Sequence, residues 1–204
     1  KYNNTIKLLR NQENIDEYHD NSCIITKFLG GNKFSSLFPS KYYEIIYNDI
    51  FNCGFSMIFD ILKVFKKEPK TIVDIKNDLI YEYNTNYLKY NKQFHEVLKL
   101  NYKTDFVKNL INGVDISTLI NMPDFYISNI DLWILCIKYN IPIILLSTNP
   151  KGLKENNKML LPLTLSEDNK YLFIITSSPQ INKPHKYHII SKSKKLSDAI
   201  IDIY

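Results

Sequence analysis

The chain has 204 residues, of which 45% are hydrophobic and 13% aromatic, and it carries a net charge of +5. This apolar content argues against disorder of the whole chain, and the length suits one domain with a sizeable core. The lysines are spread along the sequence, whereas a nucleic-acid-binding protein usually concentrates them on one face, so we expect no nucleic-acid partner. The longest apolar runs, such as residues 141–146, have the length of a strand, so we expect no membrane segment.

The three cysteines, Cys23, Cys53 and Cys136, are few and widely spaced. An odd number of distant cysteines argues against a disulfide framework and favours a reducing compartment such as the cytoplasm. The spacing of cysteines and histidines matches no zinc site, and the sequence has no phosphate-binding loop or dinucleotide-binding motif. We therefore expect neither a metal nor a cofactor.

In chain order, polar residues 1–21 predict an N-terminal extension, and residues 22–204 predict a single domain. Thr71 and Ser128 each precede an aspartate by three residues, a capping-box pattern that indicates a helix start. Most helices precede most strands, which favours an α+β fold with helices packed against a sheet. The predicted strands cover residues 22–29, 43–47, 143–147, 171–176 and 187–191, and the predicted helices cover 54–65, 71–90, 93–100, 105–111, 128–138 and 196–203.

The helix predicted over residues 54–65 is apolar except for a narrow strip formed by Ser56, Asp60 and Lys63. A helix of this kind is largely buried. Cys53 lies three residues before Ser56, so the helical period places its sulfur on the polar strip. We therefore expect the sulfur to face a cleft.

The position of Cys53 at a helix start suits nucleophilic chemistry. A helix N-terminus carries a partial positive charge that favours thiolate over thiol, and its free N–H groups can bind an oxyanion. The neighbouring Gly54 would let a substrate carbonyl approach closely. The alternative is that Cys53 is a small residue that fills space in the core, a role that also suits Cys23 and Cys136.

A cysteine nucleophile needs a base, and His188 is the candidate that the sequence favours. It lies within the last apolar segment, where the pleat of a strand would fix the direction of its ring. The alternative for His188 is an ordinary surface or hydrogen-bonded histidine. The other histidines are His19, His95 and His185.

Three segments form an ordered set: Asp49 to Ser56 around the cysteine, a helix and an Ile-Pro-Ile strand over residues 129–147, and Lys186 to Ile190 around the histidine. This set resembles the conserved blocks of the OTU (ovarian tumour) family of cysteine proteases. The resemblance implies an α+β, papain-related fold with a central, mostly antiparallel sheet flanked by helices. It also implies Cys53 as the nucleophile and His188 as its general base.

The resemblance further implies that the backbone N–H groups of Ile50, Phe51 and Cys53 hold the oxyanion. The chain departs from the family at this motif. The family has aspartate three residues before the cysteine and glycine between them, where this chain has Ile50 and Phe51.

A second departure concerns the residue that would orient His188. The family often has aspartate or asparagine two residues after the histidine, where this chain has Ile190. The third catalytic residue is therefore unassigned, with Asp49 and Asn52 as the candidates.

The family resemblance implies a cysteine-dependent deubiquitinase that cleaves ubiquitin or a ubiquitin-like modifier in the cytoplasm. The missing motif residues leave open a catalytically inactive module that binds ubiquitin or a partner protein. Heavy use of Asn, Lys, Ile and Tyr indicates an AT-rich genome, such as that of a large DNA virus. Together with the initial Lys1, this leaves open a viral polyprotein-processing cysteine protease in the host cytoplasm or the virion.

Overall fold

The computed structural model describes residues 23–27, 42–66, 70–87, 91–147, 159–176 and 181–202. The extension predicted over residues 1–21 lies outside these ranges. Within them, the chain has a mixed α+β fold in which helices flank a small mixed sheet.

The strands of the described part of the chain are β1 (Cys23–Lys27), β2 (Tyr43–Tyr47), β3 (Ile143–Ser147), β4 (Met159–Pro162), β5 (Lys170–Thr176), β6 (Tyr187–Ser191) and β7 (Ile200–Asp202). These seven strands form one sheet in the order β1-β2-β6-β5-β3-β4, with β7 also paired to β5. The paired strands are antiparallel except for β3 and β5, which run parallel.

The helices occupy the middle of the sequence, as predicted. They are α1 (Cys53–Ile61), α2 (Ile72–Glu82), α3 (Asn91–Leu100), α4 (Thr104–Ile111), α5 (Ile116–Asn121) and α6 (Asn129–Tyr139). One π-helical turn follows α1 and another follows α2. Helix α5 and strand β4 were not predicted, because neither short segment has a clear apolar period.

Local signals placed two helix starts correctly. The Thr71 hydroxyl and Asp74 carboxylate form a capping box at the start of α2, and Ser128 and Asp131 form another at the start of α6. Each box satisfies backbone N–H groups that have no partner inside the helix. Asn140 ends α6 in the left-handed conformation with a φ of 50°, which asparagine tolerates at the end of a helix.

The prediction of a helix over residues 196–203 is wrong. The segment forms a single 3-10 turn, Leu196–Asp198, followed by strand β7. Ile200 and Ile201 pair with Leu172 and Tyr171 of β5. A free strand edge and β-branched side chains outweigh the helical pattern of this short segment.

The sheet has two apolar faces. The helical face packs against the helices and includes Ile45 of β2, Ile174 of β5, and Tyr187 and Ile189 of β6. The outer face carries a separate, smaller cluster of alternate residues: Ile144, Leu146, Tyr171, Phe173, Ile175, Ile190 and Ile201. Because side chains alternate along a strand, neighbouring residues of β6 point to different faces.

Candidate active site

Asp49 builds the turn that precedes Cys53, the first residue of α1. Its carboxylate accepts hydrogen bonds from the N–H of Phe51 at 3.1 Å, the N–H of Asn52 at 2.9 Å, and the Asn52 side-chain amide at 3.1 Å. Burial alone would raise the pKa of Asp49, but these hydrogen bonds lower it below its ordinary value. Asp49 and Asn52 therefore fix the start of the helix.

These contacts change the roles expected for the turn. Neither Asp49 nor Asn52 hydrogen-bonds a histidine within the described residues, so the structure gives neither of them the role of a third catalytic residue. Among the expected oxyanion donors, the N–H of Phe51 is bonded to the Asp49 carboxylate and the N–H of Cys53 to the Asp49 carbonyl at 3.1 Å. Ile50 lies in the same turn, with an exposed side chain.

The thiol of Cys53 is closed off in this structure. The residue is 2% exposed, and its sulfur donates a hydrogen bond to the backbone carbonyl of His185 at 2.9 Å. Burial raises the pKa of the thiol to about 11, although the backbone N–H groups of Tyr187 and Gly54 face the sulfur and lower it. The sulfur is therefore a neutral thiol at pH 7, held among groups that could stabilise a thiolate.

The polar strip of α1 does not line a cleft. Asp60, which shares the strip with Cys53, is buried and accepts a hydrogen bond from the Tyr47 hydroxyl at 3.0 Å. The carboxylate therefore faces the sheet, and its burial is compensated by this bond.

Gly54 is needed for packing. A Cβ atom at this position would lie 2.7 Å from the Cβ of Ile127, closer than real Cβ atoms approach one another. The absence of a side chain lets the start of α1 contact the segment before α6. Gly54 therefore lets the start of α1 pack closely against Ile127, and Ile127 fills the space that we expected a substrate carbonyl to use.

His188 lies on the outer face of the sheet. It pairs with Ile175 of β5 and with Ile46 of β2, and directly opposed residues of neighbouring strands point to the same face. Ile175 belongs to the outer cluster. The Nδ1 atom of His188 lies 3.0 Å from a carboxylate oxygen of Glu44, which belongs to that face as well.

The sheet thus separates His188 from Cys53, and the expected pair of nucleophile and base does not form. The reason lies in the alternation of β6. Tyr187 takes the inward position, where it is fully buried and its hydroxyl donates to the carbonyl of Ile127 at 3.2 Å. Its neighbour His188 must then point outward.

The backbone carbonyl of His185, and not its ring, is the histidine group that the structure places in contact with the Cys53 sulfur. His185 lies just before β6, is 1% exposed, and stacks between the rings of Tyr126 and Tyr187 with centroid distances of 6.2 and 6.1 Å. Neither ring nitrogen has a hydrogen-bond partner among the described residues. Burial, with a smaller effect of the Lys103 ammonium, lowers the pKa of His185 to about 4, so the ring is neutral at pH 7.

His185 precedes the predicted strand, and the sequence therefore favours His188 as the base. A usable signal was present: His185, Tyr187 and Ile189 alternate, so extending the strand backwards puts all three on one face. The pattern does not say which face packs on α1, because Ile190 on the opposite face of the strand is buried as well.

A buried ion pair lies beside His185. The ammonium of Lys103 is 2.6 Å from Asp131, and the side chains are 2% and 0% exposed. Asp131 also accepts hydrogen bonds from the backbone and the hydroxyl of Ser128 at 2.7 Å and from the Tyr83 hydroxyl at 2.5 Å. The ammonium also lies 3.9 Å from the ring centre of Phe125. This network fixes the start of α6 against Lys103, which precedes α4, and against Tyr83, which follows α2.

A cavity of about 390 Å³ is lined by neighbours of the two candidate residues in the chain, although neither Cys53 nor His185 forms part of its wall. Phe51 from the turn before Cys53 and Pro184 from the segment before His185 form part of its wall. Apolar side chains contribute most of the surface, and the carboxylates of Asp105 and Asp124 are also present. A pocket with this lining can receive a peptide segment or another partly apolar group.

Comparisons with known proteins do not place the chain in a family. No protein-family model matches it, and neither a curated protein nor a solved structure matches it. The described residues include no group of three or more His, Cys, Asp or Glu side chains that could hold a metal ion. In the same residues, no helix has both the length and the apolar character needed to cross a bilayer.

Proposed function

We propose that this chain is an OTU-like cysteine hydrolase that acts through Cys53 and His185 and that is closed in the present conformation. The observation that carries the proposal is the contact at 2.9 Å between the Cys53 sulfur and the backbone of His185, whose ring nitrogens are buried without partners. A buried imidazole without hydrogen bonds is costly, and such groups often have a functional role.

The chemistry follows from these two side chains. After the sulfur leaves the His185 carbonyl, the imidazole takes the thiol proton, and the thiolate attacks a substrate carbonyl to form a thioester. The leaving amine receives the proton from the imidazolium, and water then hydrolyses the thioester. The N–H groups of Gly54 and Tyr187, which already face the sulfur, support the thiolate.

The family resemblance supplies the substrate class, which is ubiquitin or a ubiquitin-like modifier. The cavity beside Phe51 and Pro184 is available for the modifier's C-terminal segment. A thiol nucleophile of this kind functions in a reducing compartment, which supports a cytoplasmic location.

A ubiquitin probe with a C-terminal electrophile tests the proposal. Wild-type protein should form a covalent adduct, Cys53→Ala should form none, and His185→Asn should react at least about tenfold more slowly. His188→Asn is the matched control and should react like the wild type, because the sheet separates His188 from the thiol. Equal loss in both histidine variants, or labelling that survives Cys53→Ala, would contradict the assignment.

A second candidate is a non-catalytic module that binds ubiquitin or a partner protein. It is favoured by the burial of the thiol and by the rise of its pKa to about 11, since a nucleophilic cysteine normally has a lowered pKa. Binding of ubiquitin in calorimetry without any probe adduct would support this candidate over the hydrolase.

A further inference from the structure

We infer that residues 181–185 form a latch that keeps the Cys53 thiol closed, and that Asn182 holds this latch in place. The inference rests on the proposed function, because it describes how that site is regulated. At the C-terminal end of the latch, the backbone carbonyl of His185 accepts a hydrogen bond from the Cys53 thiol at 2.9 Å. A sulfur in this contact cannot reach a substrate carbonyl.

Asn182 ties the latch to the start of α4 with both its side chain and its backbone. Its side-chain oxygen accepts hydrogen bonds from the Thr104 hydroxyl at 2.9 Å and from the Asp105 N–H at 3.1 Å. Its side-chain nitrogen donates to the Asp105 carboxylate at 2.6 Å, and its backbone N–H donates to the Tyr102 carbonyl at 2.8 Å. The N-cap residue of α4, Lys103, makes no side-chain capping hydrogen bond. Asn182 therefore supplies the capping hydrogen bonds in its place.

The contacts of Asn182 with Tyr102, Thr104 and Asp105, called the clamp from here on, hold the backbone in an uncommon conformation. Asn182 and its partner Tyr102 both adopt the left-handed conformation, with φ values of 53° and 63°. Asparagine tolerates this region, but a tyrosine there is uncommon and persists only where surrounding contacts enforce it. Strain at Tyr102 favours release of the segment that it contacts when the surrounding contacts are lost.

The latch also borders the cavity. Asn182 and Pro184 contribute to its wall, and Phe51 contributes from the turn before Cys53. A substrate segment that enters the cavity therefore touches the clamp and the turn of the nucleophile together. Displacement of the clamp by substrate would couple binding to exposure of the thiol.

The test measures how fast Cys53 reacts with a small thiol reagent under native conditions. Peptide mapping by mass spectrometry quantifies the adduct on Cys53 alone, so that reaction at the other cysteines is not counted. Asn182→Gly keeps the left-handed backbone accessible and removes the side-chain bonds. Because three side-chain hydrogen bonds are lost, the rate should rise about tenfold to a hundredfold.

Asn169→Gly is the matched control, because Asn169 also has a positive φ, of 56°, but lies in the turn before β5. Its rate should stay within about twofold of the wild type. If Asn182→Gly does not fold, Thr104→Val removes one bond of the clamp and should raise the rate several-fold. Urea unfolding of each variant separates local opening from global unfolding.

An unchanged rate in folded Asn182→Gly and Thr104→Val would overturn the latch. The outcomes also distinguish the latch from the proposed function. A faster reagent reaction without any ubiquitin-probe adduct supports the latch and contradicts the hydrolase. A probe adduct that forms on Cys53 at the same rate in wild type and in Asn182→Gly, with unchanged reagent rates, supports the hydrolase and contradicts the latch.

Discussion

Replacing Asp131 with asparagine tests the buried charge network beside the candidate site. One carboxylate oxygen lies 2.6 Å from the Lys103 ammonium and accepts two bonds from Ser128, and the other accepts the Tyr83 hydroxyl. Asparagine has nearly the same shape, and its amide nitrogen can donate to the Tyr83 hydroxyl. Asp131→Asn therefore removes the charge while the hydrogen bonds can still be made.

The expected cost is about 3–5 kcal/mol of unfolding free energy at pH 7, because Lys103 becomes a buried ammonium without a counter-charge. The cost of deprotonating Lys103 gives a second value for this loss of unfolding free energy, of the same magnitude. Lys103 can lose its proton instead, which costs about 1.4 kcal/mol for each pH unit below its unfolded pKa of about 10.4, or about 4.6 kcal/mol at pH 7. The cost of deprotonating Lys103 is therefore an upper limit on the loss of unfolding free energy, and it is close to the usual cost of breaking a buried ion pair.

Urea unfolding followed by circular dichroism at pH 7 and pH 9 measures this cost. In the variant the folded-state pKa of Lys103 lies below the unfolded value, so the deficit relative to wild type shrinks as the pH rises. We expect about 2 kcal/mol at pH 9. Adding Lys103→Met should recover much of the loss, because neither charge is then buried.

Asp168→Asn is the control, since its ion pair with Lys170 at 3.2 Å is exposed and its loss should leave the unfolding free energy close to that of the wild type. A loss below about 1 kcal/mol for Asp131→Asn at pH 7 would refute the reasoning. A deficit that is the same at pH 7 and pH 9 would show that Lys103 is not the group that bears the cost.

Three further predictions concern the site itself. Gly54→Ala should lower the unfolding free energy by about 1–3 kcal/mol, because the new Cβ would meet Ile127 at 2.7 Å; an unchanged melting temperature would contradict this packing. The rate of Cys53 modification should keep rising up to about pH 11, and a plateau near pH 9 would show an ordinary thiol. Burial lowers the pKa of His185 to about 4, so the unfolded state binds a proton more readily than the folded state does. The unfolding free energy should therefore decrease by on the order of 3 kcal/mol as the pH falls from 6.5 to 4. His185→Gln should reduce this acid sensitivity, and an identical pH profile in urea unfolding would contradict the assignment.

The proposed site differs from the expected one in its base and in its resting state. The nucleophile position remains Cys53, which begins α1. The imidazole comes from His185 instead of His188, only three positions earlier in the chain. In the proposed hydrolase, the closed thiol would make activity depend on movement of residues 181–185, which connects the proposed function with the latch held by Asn182.

Local features could be predicted from the sequence, since they depend on neighbours in the chain. The capping boxes at Thr71 and Ser128, the end of α6 at Asn140 and the apolar character of α1 all follow from spacings of three or four residues. The α+β class also follows, because the order of apolar segments is visible in the sequence.

Only the tertiary structure decided which histidine meets the thiol. The pleat requires Tyr187 and His188 to point to opposite faces, but the sequence period does not say which face packs on α1. Pairing of β6 with β2 and β5 settles this by turning Tyr187 towards the helices and His188 towards Glu44. The same contacts between distant segments press the His185 carbonyl onto the sulfur, and burial, which no local pattern encodes, then keeps the thiol neutral.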